Sequence, residues 1–131
     1  MRRMAGLALM CCLLNAHAAQ DESTPCDTVE NDQQAYACAA FNQQTAEREL
    51  KAAFEELLQR VTEQYPQAQA EMLTTRLNAA NTLWYQVRKA DCEAETGTLQ
   101  AGSQAYQAAW NNCMAQHSDD RSEYLQSILQ P

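Results

Sequence analysis

A chain of 131 residues has room for a single domain. Its 17 acidic residues outnumber nine Lys and Arg, for a formal net charge of −8. That balance argues against nucleic acid and anionic membrane as ligands, because both are gripped through clustered basic side chains.

The first 18 residues read as a secretory signal peptide. Arg2 and Arg3 give a positive start, residues 4–14 are uncharged and largely apolar, and Ala16-His17-Ala18 sets small residues before a cut at Ala19. A membrane span needs about 20 apolar residues, roughly twice what this run offers. Cys11 and Cys12 are preceded by Met10 and Cys11 rather than by the small residue expected before a lipid-modified cysteine. The mature chain is therefore read as soluble, with no membrane insertion after cleavage. Losing Arg2 and Arg3 leaves seven basic residues against 17 acidic ones, a net charge of −10. Such a surface attracts a cationic partner, most strongly at low salt.

Residues 19–25 are polar and aperiodic, a flexible leader ahead of a helical domain over 26–131. Thr28 to Cys38 predicts a short helix with few large apolar groups. From Ala39 the signal sharpens: Leu50, Phe54, Leu57, Val61 and Tyr65 recur at steps of four and three, one stripe of an α-helix. Pro66 interrupts this run, since it lacks an amide hydrogen and biases Tyr65 away from helical geometry. A second stripe, Leu73, Leu77, Ala80, Trp84 and Val87, fades near Cys92, with Gly97 as the stop. The two stripes predict an antiparallel helical hairpin, one continuous kinked helix being the alternative. After a glycine-containing loop, Ser103 caps a third helix carrying Tyr106, Trp110, Cys113 and His117. Ser118 offers a further cap before a last apolar face of Tyr124, Leu125, Ile128 and Leu129. No strand is needed. The fold class is all-α: a small antiparallel helical bundle, built as a long hairpin with shorter N- and C-terminal helices and stapled by two disulfides.

Cys26, Cys38, Cys92 and Cys113 remain after cleavage, and an even number in a short exported chain reads as a disulfide framework. Three pairings are open. Cys26 and Cys38 would lie about 18 Å apart in one straight helix, so joining them requires a turn. A Cys92–Cys113 bridge would clip the third helix to the second. Sequential pairing is favoured; crossed pairing, which ties the leader to the third helix, is the alternative.

Cys26 with eleven residues before Cys38-Ala39, Ala46-Glu47-Arg48-Glu49-Leu50, Trp84 with seven residues before Cys92, Gly102-Ser103, Cys113, and Arg121 ahead of Leu125 together form a pattern. It resembles the family of small exported proteins named for LprI, a lipoprotein lysozyme inhibitor, from about Cys26 to Leu129. The resemblance implies a four-cysteine helical domain and lysozyme as a partner. Lys89 after Arg88, a single Gly-Ser in the loop, and Asp119 ahead of the late arginine depart from the family pattern and bear on surface contacts.

Trp84 and Arg88 lie one turn apart. They could form a recognition pair at an interface. The favoured reading is structural: a core tryptophan beside an arginine buried through its stem and paired to Glu93 or Glu47. Leu50, Phe54 and Trp110 complete the expected core. His117 stands alone after cleavage and cannot assemble a zinc set with disulfide-bonded cysteines, so neither metal nor cofactor is called for. Ser103, His117 and Asp119 can be written as a triad, yet no nucleophile elbow or oxyanion glycines accompany them. Neighbouring acids such as Glu55-Glu56 read as solvated helix faces. The expectation is a binding protein and not an enzyme: a periplasmic or secreted inhibitor-type module for a cationic protein such as lysozyme. Glu95, Gly97, Gly102 and Ser103 mark the candidate partner-binding loop. A structural or assembly protein of the envelope, without inhibitory activity, is the alternative.

Overall fold

In the computed structural model, residues 22–130 are described; residues 1–18, read from sequence as a signal peptide, lie outside them. Three helices account for nearly all of that length: α1 (Asp32–Gln64), α2 (Gln67–Glu95) and α3 (Gln104–Ser127). Among the described residues there is no strand.

Local chemistry sets each boundary. Asn31 caps α1 by accepting from the Gln34 amide at 3.0 Å, while the Gln34 side chain accepts from the Glu30 amide at 2.7 Å. This reciprocal pair satisfies two amides at the helix start. At the other end Tyr65 is extended, with φ −113° and ψ 150°, as the residue before a proline prefers. Pro66 then opens α2, its carbonyl accepting from Gln69 and Ala70. The hairpin alternative thus holds over a single kinked helix. Ser103 caps α3, its hydroxyl accepting from the Tyr106 amide at 3.1 Å.

Two expectations about helix ends are corrected. Among the described residues no separate helix precedes α1; Cys38 sits within α1, and the turn before Asn31 carries Cys26 back to it. Ser118 starts no new helix either. It lies inside a continuous α3 with its hydroxyl donating to the Met114 carbonyl at 2.7 Å, so it has no free amide to cap.

Both disulfides form in sequential order, Cys26–Cys38 with Cα atoms 4.7 Å apart and Cys92–Cys113 at 5.7 Å. The core runs through Leu50, Ala53, Leu57, Val61, Ala70 and Leu125, with Phe54, Leu73, Leu77, Trp84 and Ile128 packed against it.

The helices are not equivalent. α2 runs antiparallel to α1, as the hairpin reading required: Arg88 reaches Glu47, while Ala70 joins the cluster around Val61. Yet the closest backbone approach is between α1 and α3, which run parallel. Their register is visible in the groove between them, where Asn42 lies with Asn112 and Glu49 with Asp119. Small side chains make the approach feasible. Ala39, Ala46 and Ala53 recur every seventh residue of α1, and α3 answers with Ala115, Ser118 and Ser122, all buried. The α2 stripe is corrected accordingly. Leu73, Leu77 and Trp84 turn inward, but Ala80 is exposed and Val87 is 55% exposed. The inner face of α2 continues instead through Asn81, Arg88 and Cys92, which a search for apolar residues passes over.

Candidate functional site

Arg88 ties the three helices together. It is 5% exposed on α2; its Nη1 donates to Glu47 Oε1 of α1 at 2.5 Å and to Ser118 Oγ of α3 at 2.6 Å. Its guanidinium stands 4.9 Å from the centroids of both Trp84 and Tyr85. Of the two carboxylates considered for it, Glu47 is the partner, and Glu93 pairs with Lys89. Arg121 enters the same cluster from α3, 5.6 Å from the Trp84 ring and 5.0 Å from Tyr124. Desolvation pulls the Arg121 guanidinium below its ordinary value, offset in part by the Tyr124 and Tyr85 hydroxyls. This second arginine on Trp84 is a feature that helical spacing on separate elements does not disclose. Leu50 is fully buried, whereas Phe54, Trp84 and Trp110 are half-buried, Trp110 stacked on Tyr106 at 6.2 Å.

The loop over 96–103 closes two successive turns, with Leu99 donating to Thr96 at 3.0 Å and Ser103 to Gln100 at 3.1 Å. Thr96 anchors its start: it is buried, and its hydroxyl donates to the Cys92 carbonyl at 2.7 Å. Gly102 takes a positive φ of 78°, which a residue with a Cβ would adopt only at a cost. The Cys92–Cys113 bridge spans the loop from both flanking helices. Glu95 projects into solvent beside His117, 3.6 Å away. Gly97 is exposed, and the Ser103 hydroxyl is committed to its cap.

A second feature lies between α1 and α3, where a groove is lined by Glu49, Glu56, Asp119 and Glu123. Among the described residues no ion pair neutralises any of these four. Desolvation first, then the negative charges of Glu49, Asp120 and Glu123, hold the Asp119 carboxyl above its ordinary value.

The chemistry these groups can perform is limited. The Cys92 and Cys113 sulfurs and one His117 nitrogen lie within 4.8 Å of one another, but both sulfurs are in the disulfide and neither can act as a thiolate ligand. Ser103 caps α3 while His117 sits 14 residues further along it, about 20 Å away at 1.5 Å per residue. The written triad is therefore not assembled. Among the described residues, no helix is long and apolar enough to cross a membrane.

Fold and surface together define a class: a rigid three-helix scaffold, cross-linked twice, presenting an acidic groove and a braced loop. The profile of the family described as "Lysozyme inhibitor LprI" matches residues 26–125. A crystal structure of a DUF1311 family protein from Pseudomonas putida is similar at 53% sequence identity with a TM-score of 0.70, over 77% of this chain and 96% of that one. No curated protein matches the chain. The chain belongs to the LprI lysozyme inhibitor family.

Proposed function

We propose that this protein is an exported binding module that inhibits lysozyme by protein–protein contact and performs no chemistry of its own. Family membership supports the choice of partner. The observation that carries the mechanism is the unneutralised groove of Glu49, Glu56, Asp119 and Glu123. Carboxylates held together without a cation repel one another; at Asp119 burial first, and that repulsion second, hold the carboxyl above its ordinary value. A cationic protein placing Lys or Arg there relieves it, so binding and charge neutralisation favour each other. At longer range the same negative field speeds encounter with a basic enzyme.

The loop bearing Glu95, Gly97, Gly102 and Ser103 is the element suited to obstructing the enzyme's cleft. Its turns are ordered before contact, so docking costs less entropy than seating a flexible segment. Two disulfides suit an oxidising compartment, periplasmic or extracellular, reached through the signal peptide over 1–18.

The test is lysozyme turnover in the presence of the purified, oxidised protein. The proposal expects inhibition at micromolar concentration that weakens as salt rises and is reduced by Glu95→Lys. Full turnover at every concentration and salt would overturn it, and would leave the envelope-assembly reading standing.

A further inference from the structure

The outward side of α2 carries an apolar stripe that the described residues leave uncovered. Met72, Ala79, Leu83, Val87, Ala90 and Ala94 are all exposed, Leu83 at 62% and Val87 at 55%. At 3.6 residues per turn they fall within a band about 100° wide, well rotated from the inner line of Leu77, Arg88 and Cys92. Removing such a band from water is favourable in proportion to the apolar surface covered.

The order of residues along the stripe says what covers it. Measured from Leu83, Ala79 lies four residues before and Val87 four after; Met72 lies 11 before and Ala94 11 after. Reversing the helix about Leu83 therefore sets Leu83 against its own copy, Val87 opposite Ala79 and Met72 opposite Ala94. Arg76 lies seven residues before Leu83 and so falls opposite Ala90 of the reversed copy, next to Asp91, which brings the guanidinium within reach of a carboxylate. Among the described residues neither Arg76 nor Asp91 has an ion-pair partner within the chain. A two-fold interface requires self-complementarity of this kind, in which each copy offers the same patch in opposite direction.

We infer that the exposed face of α2 binds a second copy of this chain, as an antiparallel helix pair centred on Leu83. Val87 packs on Ala79 of the second copy and Met72 on Ala94, while Arg76, which interrupts the strip about 20° around the helix from Leu83, reaches out to Asp91 at its edge. The net negative charge of each copy opposes association, and the neutral strip overcomes it only when copies are concentrated. The expected dimer is accordingly weak, and it tightens or holds as salt screens the repulsion. Inhibition through the acidic groove has the opposite salt dependence, and the inference does not depend on lysozyme.

The test is sedimentation velocity on the oxidised chain from Ala19 onward, from low micromolar to submillimolar concentration. A monomer–dimer equilibrium is expected that persists in high salt. Leu83→Glu brings two carboxylates together at the centre and raises the dissociation constant by at least about tenfold, with unchanged helicity by circular dichroism. Arg76→Asp weakens the dimer, and adding Asp91→Arg restores it. A chain that stays monomeric throughout, or a dimer indifferent to Leu83→Glu, would overturn the inference. So would a monomer whose Leu83→Glu variant instead loses its hold on a different envelope protein, which would assign the stripe to that partner.

Discussion

The seam between α1 and α3 and the outer face of α2 are both built from apolar side chains at helical spacing, yet they do opposite things. In the seam, Ala39, Ala46 and Ala53 meet Ala115, Ser118 and Ser122, and the backbones close up over buried Leu50, Leu57 and Leu125. On α2, Leu83 and Val87 project from a helix held to the others by fewer, longer side chains. Periodicity announces that a face is apolar. Whether that face is buried depends on how closely a neighbour can approach, and small residues decide that.

The contrast is sharpest where side chains fill the seam. Leu57, fully buried, is expected to cost about 4 kcal/mol when replaced by alanine, whereas Leu83→Ala stays within about 0.5 kcal/mol. Chemical denaturation of the two variants side by side measures the difference; equal losses would contradict the assignment of inner and outer faces. Arg88→Ala is expected to cost about 3 kcal/mol, because it strands the Glu47 carboxylate and removes a group that joins all three helices. Its mark is a loss beyond that of Trp84→Phe, which leaves the ion pair in place.

Replacing Cys92 and Cys113 by serine is expected to remove about 3 kcal/mol and to open the 96–103 loop to proteolysis ahead of the helices. Simultaneous cleavage everywhere would show that the bridge braces the whole bundle and not the loop. Ala46→Leu overfills the closest approach and should cost about 2 kcal/mol, while Ala80→Leu on the outer face is tolerated.

The smallest effect concerns pH. Asp119 binds its proton more tightly in the folded state than in the unfolded chain, so its ionisation works against folding at neutral pH. That penalty fades as pH falls through the raised folded value toward the ordinary aspartate range. Asp119→Asn should therefore stabilise at neutral pH by no more than about 0.5 kcal/mol, given its solvent exposure, with the gain vanishing in acid. Thermal melts of both proteins over a pH series check the sign.

Much of the fold was legible because its signals are local. Pro66 ends one helix and opens the next, Ser103 caps α3, and the weak helix signal before Asn31 admits the turn that joins Cys26 to Cys38. The parallel partnership of α1 with α3 was not legible, since alanines and serines carry little weight in a search for apolar stripes. For the same reason Ala80 and Val87 were expected inside, when the inner line of α2 passes through the polar Asn81 and Arg88. Of the candidate site, the braced loop followed from the cysteines and glycines, but the acidic groove did not. Glu49 and Asp119 lie 70 residues apart in sequence, and only the register of the two helices brings them together.

On the proposed function, an unneutralised acidic surface on a stiff scaffold captures a basic enzyme. Calorimetric titration of lysozyme into the oxidised protein, alongside a variant carrying Glu49→Gln, Asp119→Asn and Glu123→Gln, tests it most directly. Binding to the parent protein, weakened by about tenfold or more in the variant, is the predicted result. Equal affinity for both proteins, or no heat of binding to either, would contradict it.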